Sequence, residues 1–366
     1  MSKPIKRSLP GKEYFLWDYE MQTKMKHQVL VEYIKNWSKI LSANSSAYYF
    51  DCFGGCGAYL DDNGAEKFGS PFLITDIADE LKEKNGKTMH VLVSEPVKEN
   101  FDNLVKIKSL RYSLSGNPHL SNQTFEAIIH NKWTKERYRS YPSFFLIDPF
   151  GFSLKMKDLV DIMHYPQNEI LINFMFDFIN RFISDDTCAA IFDELFGCQD
   201  WRVAKEMSGE QREGFIIGLY RKQLKKFSKY VFAFRMSYPD RDRTYYYLIH
   251  ATNNLKGCSI MKSAFASQNY GRVEYLGYKQ NELTLFDLKE FREGELEKRL
   301  TKQYSGRQMT FNSIVDEIID ETFYLEKDIR AALKSMRSEG KIKTTPVTSK
   351  TDKGLGGNDI ILFDKV

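Results

Sequence analysis

Apolar positions return at helical spacing through residues 18–41, where Val29, Leu30, Tyr33, Ile34, Trp37 and Leu41 share one face. That spacing predicts an amphipathic helix laid on a core. Ala47–Asp51 follows as a short apolar strand that runs into glycines 54, 55 and 57. Helical spacing resumes from Phe72 to Leu81, then "KTMHVLVSEP" reads as a strand ending at Glu95. "VKENFDNLVKIKSL" is a helix, "HLSNQTF" a short strand or loop, and "EAIIHNKW" a helical stretch. A fully apolar strand at 143–148 stops at Asp148-Pro149-Phe150-Gly151 and gives way to the helix "SLKMKDLVDIMHY". "NEILINFMFDFINRF" is a further strand and its exit, and its alternating Phe174, Phe176 and Phe178 read as sheet core.

Strands alternating with helices, each strand an unbroken apolar run, predict a parallel, doubly wound α/β sheet. Residues 181–228 read as a helical insertion, and 230–237 with 244–251 as a hairpin closing the sheet around a polar turn. The pattern changes after about residue 285. Residues 286–304 form a charged helical connector. Helices at 310–321 and 325–338 and two strands around a Lys/Gly-rich turn then make a small α+β module, a winged helix over 305–366. The expected division is a first domain over 12–285, the connector, and the winged helix.

The length of 366 residues agrees with two domains. A formal charge of +4 permits a nucleic-acid partner without requiring one. No apolar stretch is long enough to span a membrane and no secretory leader is legible, so a cytoplasmic protein is expected. Cys52, Cys56, Cys188, Cys198 and Cys258 are scattered, and no second close pair completes a zinc site. His130, His164 and His250 have unrelated spacings. No metal is expected.

In a doubly wound sheet, ligands bind beyond the carboxyl ends of the strands. Three strand ends carry candidate chemistry. Asp51-Cys52-Phe53-Gly54-Gly55-Cys56-Gly57 allows a tight turn and close approach of a ligand to the backbone, although it is neither G-x-G-x-x-G nor a P-loop. Taken alone it reads as a turn. Glu95 suits a ribose diol, and equally the start of the next helix with Pro96 in its first turn. At Asp148-Pro149-Phe150-Gly151 the carboxylate suits an amino group, the proline fixes the turn, the ring suits a planar base and the glycine leaves room. In this order on this fold, the three features point to S-adenosylmethionine and a methyl acceptor.

These stretches carry a resemblance. Lys26 in "TKMKHQVLVEYI", "YYFDCFGGCG", "GSP" at 69–71, "SEP" at 94–96, "IDPFG" at 147–151 and "YYYLIHATNNLKGCSIMKSAF" at 245–265 resemble the three-Cys-motif partner proteins, over roughly residues 12–270. The resemblance implies a class I, Rossmann-like methyltransferase sheet with a closing hairpin. It implies that Asp51, Gly55 and Gly57 line the methionine end of S-adenosylmethionine, with Phe53 and Gly54 also binding the cofactor. Glu95 would hold the ribose, Gln123 and Thr124 would meet the adenine, and Asp148, Pro149, Phe150 and Gly151 would form the catalytic tetrad. Lys26 would touch cofactor or substrate, whereas Lys24 reads as a solvated face. The tetrad is also similar to that of tRNA guanine-N2 dimethyltransferases and to the [DNS]-P-P-[YFW] tetrad of adenine amino-methyltransferases. Phe150 stands at the second proline position and Gly151 at the aromatic one. That departure weakens a link to adenine and leaves amino-group methylation.

In the winged helix, Lys327, Arg330, Lys334 and Arg337 fall on one helical face, followed by Lys341 and Lys343. Such a face enters a major groove while the wing touches phosphates; equally it is a solvated face of a protein-binding module. The expected function is methylation of an amino nitrogen on a nucleic-acid base. The alternative is a non-catalytic partner or scaffold of a nucleic-acid-processing or defence system, holding DNA or protein through the winged helix. A nuclease is weaker, because no acidic cluster with a nearby lysine stands out.

Overall fold

The computed structural model describes residues 5–41, 46–113, 116–151, 153–238, 240–241, 243–268, 285–347 and 354–365. They form two compact units, the first holding the described residues up to Ala264 and the second those from Phe265 on.

The strands of the first unit are β1 (Lys6–Ser8), β2 (Phe15–Asp18), β3 (Ala47–Asp51), β4 (Ala58–Leu60), β5 (Glu66–Phe68), β6 (Met89–Ser94), β7 (His119–Ser121), β8 (Ser143–Ile147), β9 (Glu169–Phe174), β10 (Tyr230–Ser237) and β11 (Thr244–Thr252). Its helices are α1 (Met21–Leu41), α2 (Ser70–Asn85), α3 (Lys98–Arg111), α4 (Phe125–His130), α5 (Lys132–Ser140), α6 (Met156–Met163), α7 (Phe176–Phe182), α8 (Ala189–Phe196) and α9 (Gly209–Leu224). Helix α10 (Leu255–Gln268) follows β11.

Seven strands pair in the order β10-β11-β9-β8-β3-β6-β7. Strands β9, β8, β3, β6 and β7 are mutually parallel, and β11 is antiparallel to both of its neighbours. This is the expected Rossmann-like methyltransferase sheet with its closing hairpin. The chain leaves β3 toward β6 and β7, then returns to β8 on the other side. The strand order therefore reverses between β3 and β8, and a crevice opens at their carboxyl ends. Register sets Asp51 opposite Leu146 and Val93, so Asp51, Glu95 and Asp148 all reach that edge.

The inner parallel strands β3, β8 and β9 are buried on both faces and β6 nearly so, which is why they read as apolar runs, whereas the edge strand β7 is exposed at His119. One face stacks Phe50 on Phe145, with ring centroids 4.5 Å apart. It is covered by Ile162 of α6, Phe192 and Phe196 of α8, and Tyr220 of α9. The segment expected as an insertion is thus the cover of this face. On the other face Tyr33 and Trp37 of α1 pack on Phe144 at 5.4 and 5.9 Å. Phe144 and Phe145 are fully buried, each stabilising the fold by roughly 2–3 kcal/mol relative to exposure.

One local expectation gives way, and one unforeseen element is added. Strand β9 ends at Phe174, and Phe176 and Phe178 lie on α7, so the alternating stripe is a strand followed by a helix. A four-stranded sheet, β1-β2-β4-β5, is also built between the N-terminal segment and the stretch after the glycines, with Trp17 paired to Tyr59.

The second unit holds α11 (Leu285–Tyr304), β12 (Gln308–Thr310), α12 (Phe311–Ile318), α13 (Glu326–Ser338), β13 (Ile342–Thr345) and β14 (Ile360–Phe363). The three strands pair as β12-β14-β13. This is the winged-helix module, with one more strand than expected. Helix α11, expected as a connector, buries Leu296, Leu300 and Tyr304 and packs on α13, so it belongs to this unit. Lys350 and Lys353, near the expected wing, and the segment 269–284 beside the expected boundary lie outside the described residues. Among the described residues no helix is long and apolar enough to cross a membrane.

Candidate active site

Asp148 follows the last residue of β8, whose Ile147 is paired with Ile172 of β9. Asn173 is thereby set beside Asp148 and donates from Nδ2 to Asp148 Oδ1. Lys26, from the second turn of α1, donates to Asp148 Oδ2. Both oxygens of the carboxylate are thus fixed by groups that come from other parts of the chain. The Lys26 side chain is 9% exposed and that of Asp148 is 23% exposed. Desolvating such a pair gains little stability over an apolar pair of the same volume, and the arrangement instead fixes the direction of one carboxylate.

Three buried polar atoms near this edge have no hydrogen-bond partner among the described residues: Asp51 Oδ2, Asn173 Oδ1 and Trp17 Nε1. Buried groups of this kind are few in folded proteins and call for a reason. Asp51 is almost fully buried, and burial pushes its carboxyl up to about 7, with Ser70 opposing and the charge of Asp148 adding to the rise. His27, beside Lys26 on α1, is pushed down to about 3 by burial and then by the Lys26 charge.

The glycine loop is shaped by close packing. A Cβ at Gly54 would lie 2.5 Å from Val93, and one at Gly57, where φ is +80°, would lie 2.5 Å from Leu104. These two glycines let the loop press onto β6 and α3. Gly55, with φ +63°, is the one that faces the cleft, under the rings of Trp17 and Tyr59. Glu95 accepts from the N–H of Gly55 and from the N–H of Val97, both at 2.8 Å. Its carboxylate thus ties the loop to the start of α3, which begins at Lys98, two residues beyond Pro96. In this arrangement it serves the backbone; a ribose would share it or take the place of one of these bonds. Phe53 leans on Phe125 at 6.0 Å and borders the cleft.

Two cavities flank the loop. One, of about 690 Å³, reaches Lys26, Phe53, Gly55, Asp148, Phe150 and Asn173. The other, of about 360 Å³, is lined by Asp51, Cys52, Leu92, Ser94, Gln123 and Trp133 at the ends of β3, β6 and β7. Gln123 is on that lining, and its backbone carbonyl accepts from Ser94 Oγ at 2.6 Å. Thr124 has a different place: its hydroxyl accepts from Ala127 N at 3.2 Å and caps α4.

Phe150 is 59% exposed at the rim of the larger cavity, edge-on to Trp17 at 6.0 Å. Pro149 lines the cleft beside it, and Gly151 adopts φ +94°, a conformation open to glycine. Tyr238, Tyr245 and Arg241 line the same cleft. Sequence reasoning missed Trp17, Tyr59, Tyr238, Tyr245 and Arg241. The available signal was the mixture of Tyr and Arg in "YPDRDRTYYY", which is unusual for a plain polar turn. Asp177, on α7, is buried and accepts from Tyr238, Arg181 and Arg243, so it anchors that turn.

In the second unit the expected basic face is divided. Lys327, Lys334 and Lys343 are exposed. Arg330 turns inward, donating to the Leu355 carbonyl and to Glu326, with its guanidinium 3.9 Å from the Phe311 ring centroid. Arg337 donates to Thr344 Oγ1 and to the Gly354 carbonyl at 3.2 Å, tying α13 to the wing. Lys341 is held by Glu297 and Glu339.

Residues 269–349 match the family described as GMT-like wHTH domain. No curated protein matches the sequence. Among solved structures, protein LPL1258 from Legionella pneumophila is similar over 70% of this chain and 92% of its own length, at 9% identity and a TM-score of 0.40. An S-adenosylmethionine-dependent methyltransferase from Agrobacterium tumefaciens is similar over 69% of this chain and 71% of its own, at 12% identity and a TM-score of 0.36. The strand order of the first unit and the match at 269–349 give a Rossmann-like methyltransferase sheet followed in the chain by a winged helix-turn-helix module.

Proposed function

We propose that the first unit binds S-adenosylmethionine and methylates an amino nitrogen of a nucleic-acid base, and that the chain is a three-Cys-motif partner protein. The observation that carries this reading is the Asp148 carboxylate, held by Lys26 and Asn173 at the floor of a cleft that also reaches Gly55 and Phe150.

The residues fit the cofactor. Asp51 Oδ2 is a buried acceptor without a partner, beside a cavity whose apolar lining and Gln123 suit a purine. Asp51, Phe53, Gly55 and Gln123 would hold the group, with Glu95 behind the loop. The sulfonium supplies a methyl group to a nucleophile without prior activation. The protein's task is therefore alignment. The outer lone pairs of Asp148 accept from the N–H of an exocyclic amine and turn the nitrogen lone pair toward the donor. The ammonium of Lys26 holds that carboxylate in place, and Asn173 fixes its rotation. Phe150 offers the amine-bearing base a plane, and Pro149 sets the angle of the tetrad. After transfer, Asp148 receives the proton that the nitrogen loses. The exposed Lys327, Lys334 and Lys343 bring the nucleic acid to the protein through its phosphates.

The test pairs calorimetric titration of S-adenosylmethionine with methyl transfer from the tritiated cofactor to bulk DNA and bulk RNA. Wild type should bind in the micromolar range and label one of the two acceptors. Asp148→Asn should bind the cofactor equally and label neither. If wild type neither binds nor transfers, the reading fails, and the scaffold reading with a protein partner takes its place.

A further inference from the structure

Tyr238, Asp240, Arg241 and Tyr245, at and beside the turn between β10 and β11, line the larger cavity. Tyr238 and Tyr245 stack there with ring centroids 4.5 Å apart and an interplanar angle of 27°. The guanidinium of Arg241 lies 4.1 Å from the centroid of the Tyr238 ring. Tyr245 and Arg241 thus both pack on the Tyr238 ring. The ladder is rigid at its centre: Tyr238 donates to the buried Asp177 at 3.0 Å, and the Tyr238 N–H donates to the Arg243 carbonyl at 2.9 Å. It is open at its end, because the Arg241 side chain is 55% exposed. Asp240, within the same turn, is 3.7 Å away.

The charge of this mouth is mixed. Arg241 and Lys26 are met by Glu20, Asp148 and Asp240 on the same lining. A polyphosphate backbone gains little from such a surface, whereas a planar base gains from a guanidinium backed by two aromatic rings. Phe150, on the same lining, offers a second plane. From this shared lining we propose that Arg241, Tyr238 and Tyr245 form a stacking platform for the nucleobase next to the one that is methylated. The acceptor is then an unpaired stretch of nucleic acid, because a base inside a duplex presents neither face. This inference rests on the methyltransferase reading for the identity of the neighbouring target, but the platform itself is read out by binding.

The experiment measures fluorescence anisotropy of fluorescein-labelled oligo(dA) and oligo(rA), alone and annealed to their complements, with the full chain. Arg241→Ala and Arg241→Lys should each weaken single-strand binding about tenfold and leave duplex binding and the thermal midpoint unchanged. Arg241→Lys is decisive, since it keeps the charge and loses the plane. Wild-type affinity in Arg241→Lys would reduce the contact to a point charge and overturn the platform. So would duplex binding as tight as single-strand binding at the Arg241-sensitive site. Calorimetry with S-adenosylmethionine on the same samples separates the two ideas: absent cofactor binding with an intact Arg241 effect sinks the methyltransferase reading alone.

Discussion

At the cleft, Trp17 comes from β2, Lys26 from α1, Asp148 from the end of β8 and Asn173 from β9. On α13, by contrast, Lys327, Arg330, Lys334 and Arg337 follow one another along a single helix. Lys26 and Asn173 converge on the Asp148 carboxylate, and Trp17 and Asn173 leave polar atoms unfilled. The contiguous set is half consumed inside its own module, by the Leu355 and Gly354 carbonyls and the Phe311 ring. The difference teaches that regular spacing of charges locates a face but not its availability. Availability depends on what the neighbouring elements have left without a partner.

The sharpest way to break this comparison is at its centre. Asp148→Ala should lower methyl transfer by about 10²–10³-fold with cofactor affinity retained, as expected when an aligning acceptor is lost. Lys26→Ala should lower transfer by roughly tenfold to a hundredfold, because the carboxylate is then left with Asn173 alone. Single-turnover transfer with tritiated cofactor measures both. Equal activity in the two variants and wild type would show that convergence here is structural only.

The buried ionisable groups of the cleft should appear in the pH dependence of unfolding. Asp51 holds its proton to about pH 7 when folded, against about 3.9 in an unfolded chain. The folded state therefore binds more protons between these values, and this group's share of stability is greatest below pH 4 and declines as pH rises toward 7. His27 acts in the opposite sense. It stays neutral to about pH 3 when folded, while an unfolded histidine protonates below about 6.5, so its share declines as pH falls through that window. Asp51→Asn and His27→Gln should tilt the profile of urea-unfolding free energy between pH 4 and 6.5 in opposite directions, by on the order of 2–4 kcal/mol. Parallel profiles would show that neither group is as buried as described.

In the second unit, Arg330→Ala should destabilise the module by roughly 2 kcal/mol through the lost carbonyl bond and ring contact, as measured by denaturant unfolding. Lys334→Ala should leave that unfolding unchanged and lower the salt slope of nucleic-acid binding by about one. The reverse outcome would restore the undivided basic face.

Much of the sheet was legible. Strands β3, β6, β8 and β9 are buried on both sides, and Ala47–Asp51 carries apolar residues without a break. The abrupt end at Asp148 and the ring at 150 were legible for the same reason. The small N-terminal sheet was not, because its strands are three or four residues long and pair across wide sequence gaps, as Trp17 does with Tyr59. Asn173 was legible as a strand residue but not as a partner of Asp148, since only the β8–β9 register brings the two side by side. The roles of Arg330, Arg337 and Thr124 depended on acceptors and donors that spacing alone does not reveal.

The bond from Lys26 to Asp148 joins residues 122 positions apart, and the one from Asn173 spans a further 25. During synthesis from the N-terminus, Lys26 and its helix emerge first, Asp148 much later, and the strand that fixes the carboxylate's rotation last. Closing loops of this length costs entropy that only long-range packing repays, so such contacts form late in folding. A nascent chain halted before β9 would display the aligning carboxylate without its full set of constraints. The site is thus completed in time as well as in space: it becomes competent after the sheet has zipped past β8, and a truncated product carries its residues but not its geometry.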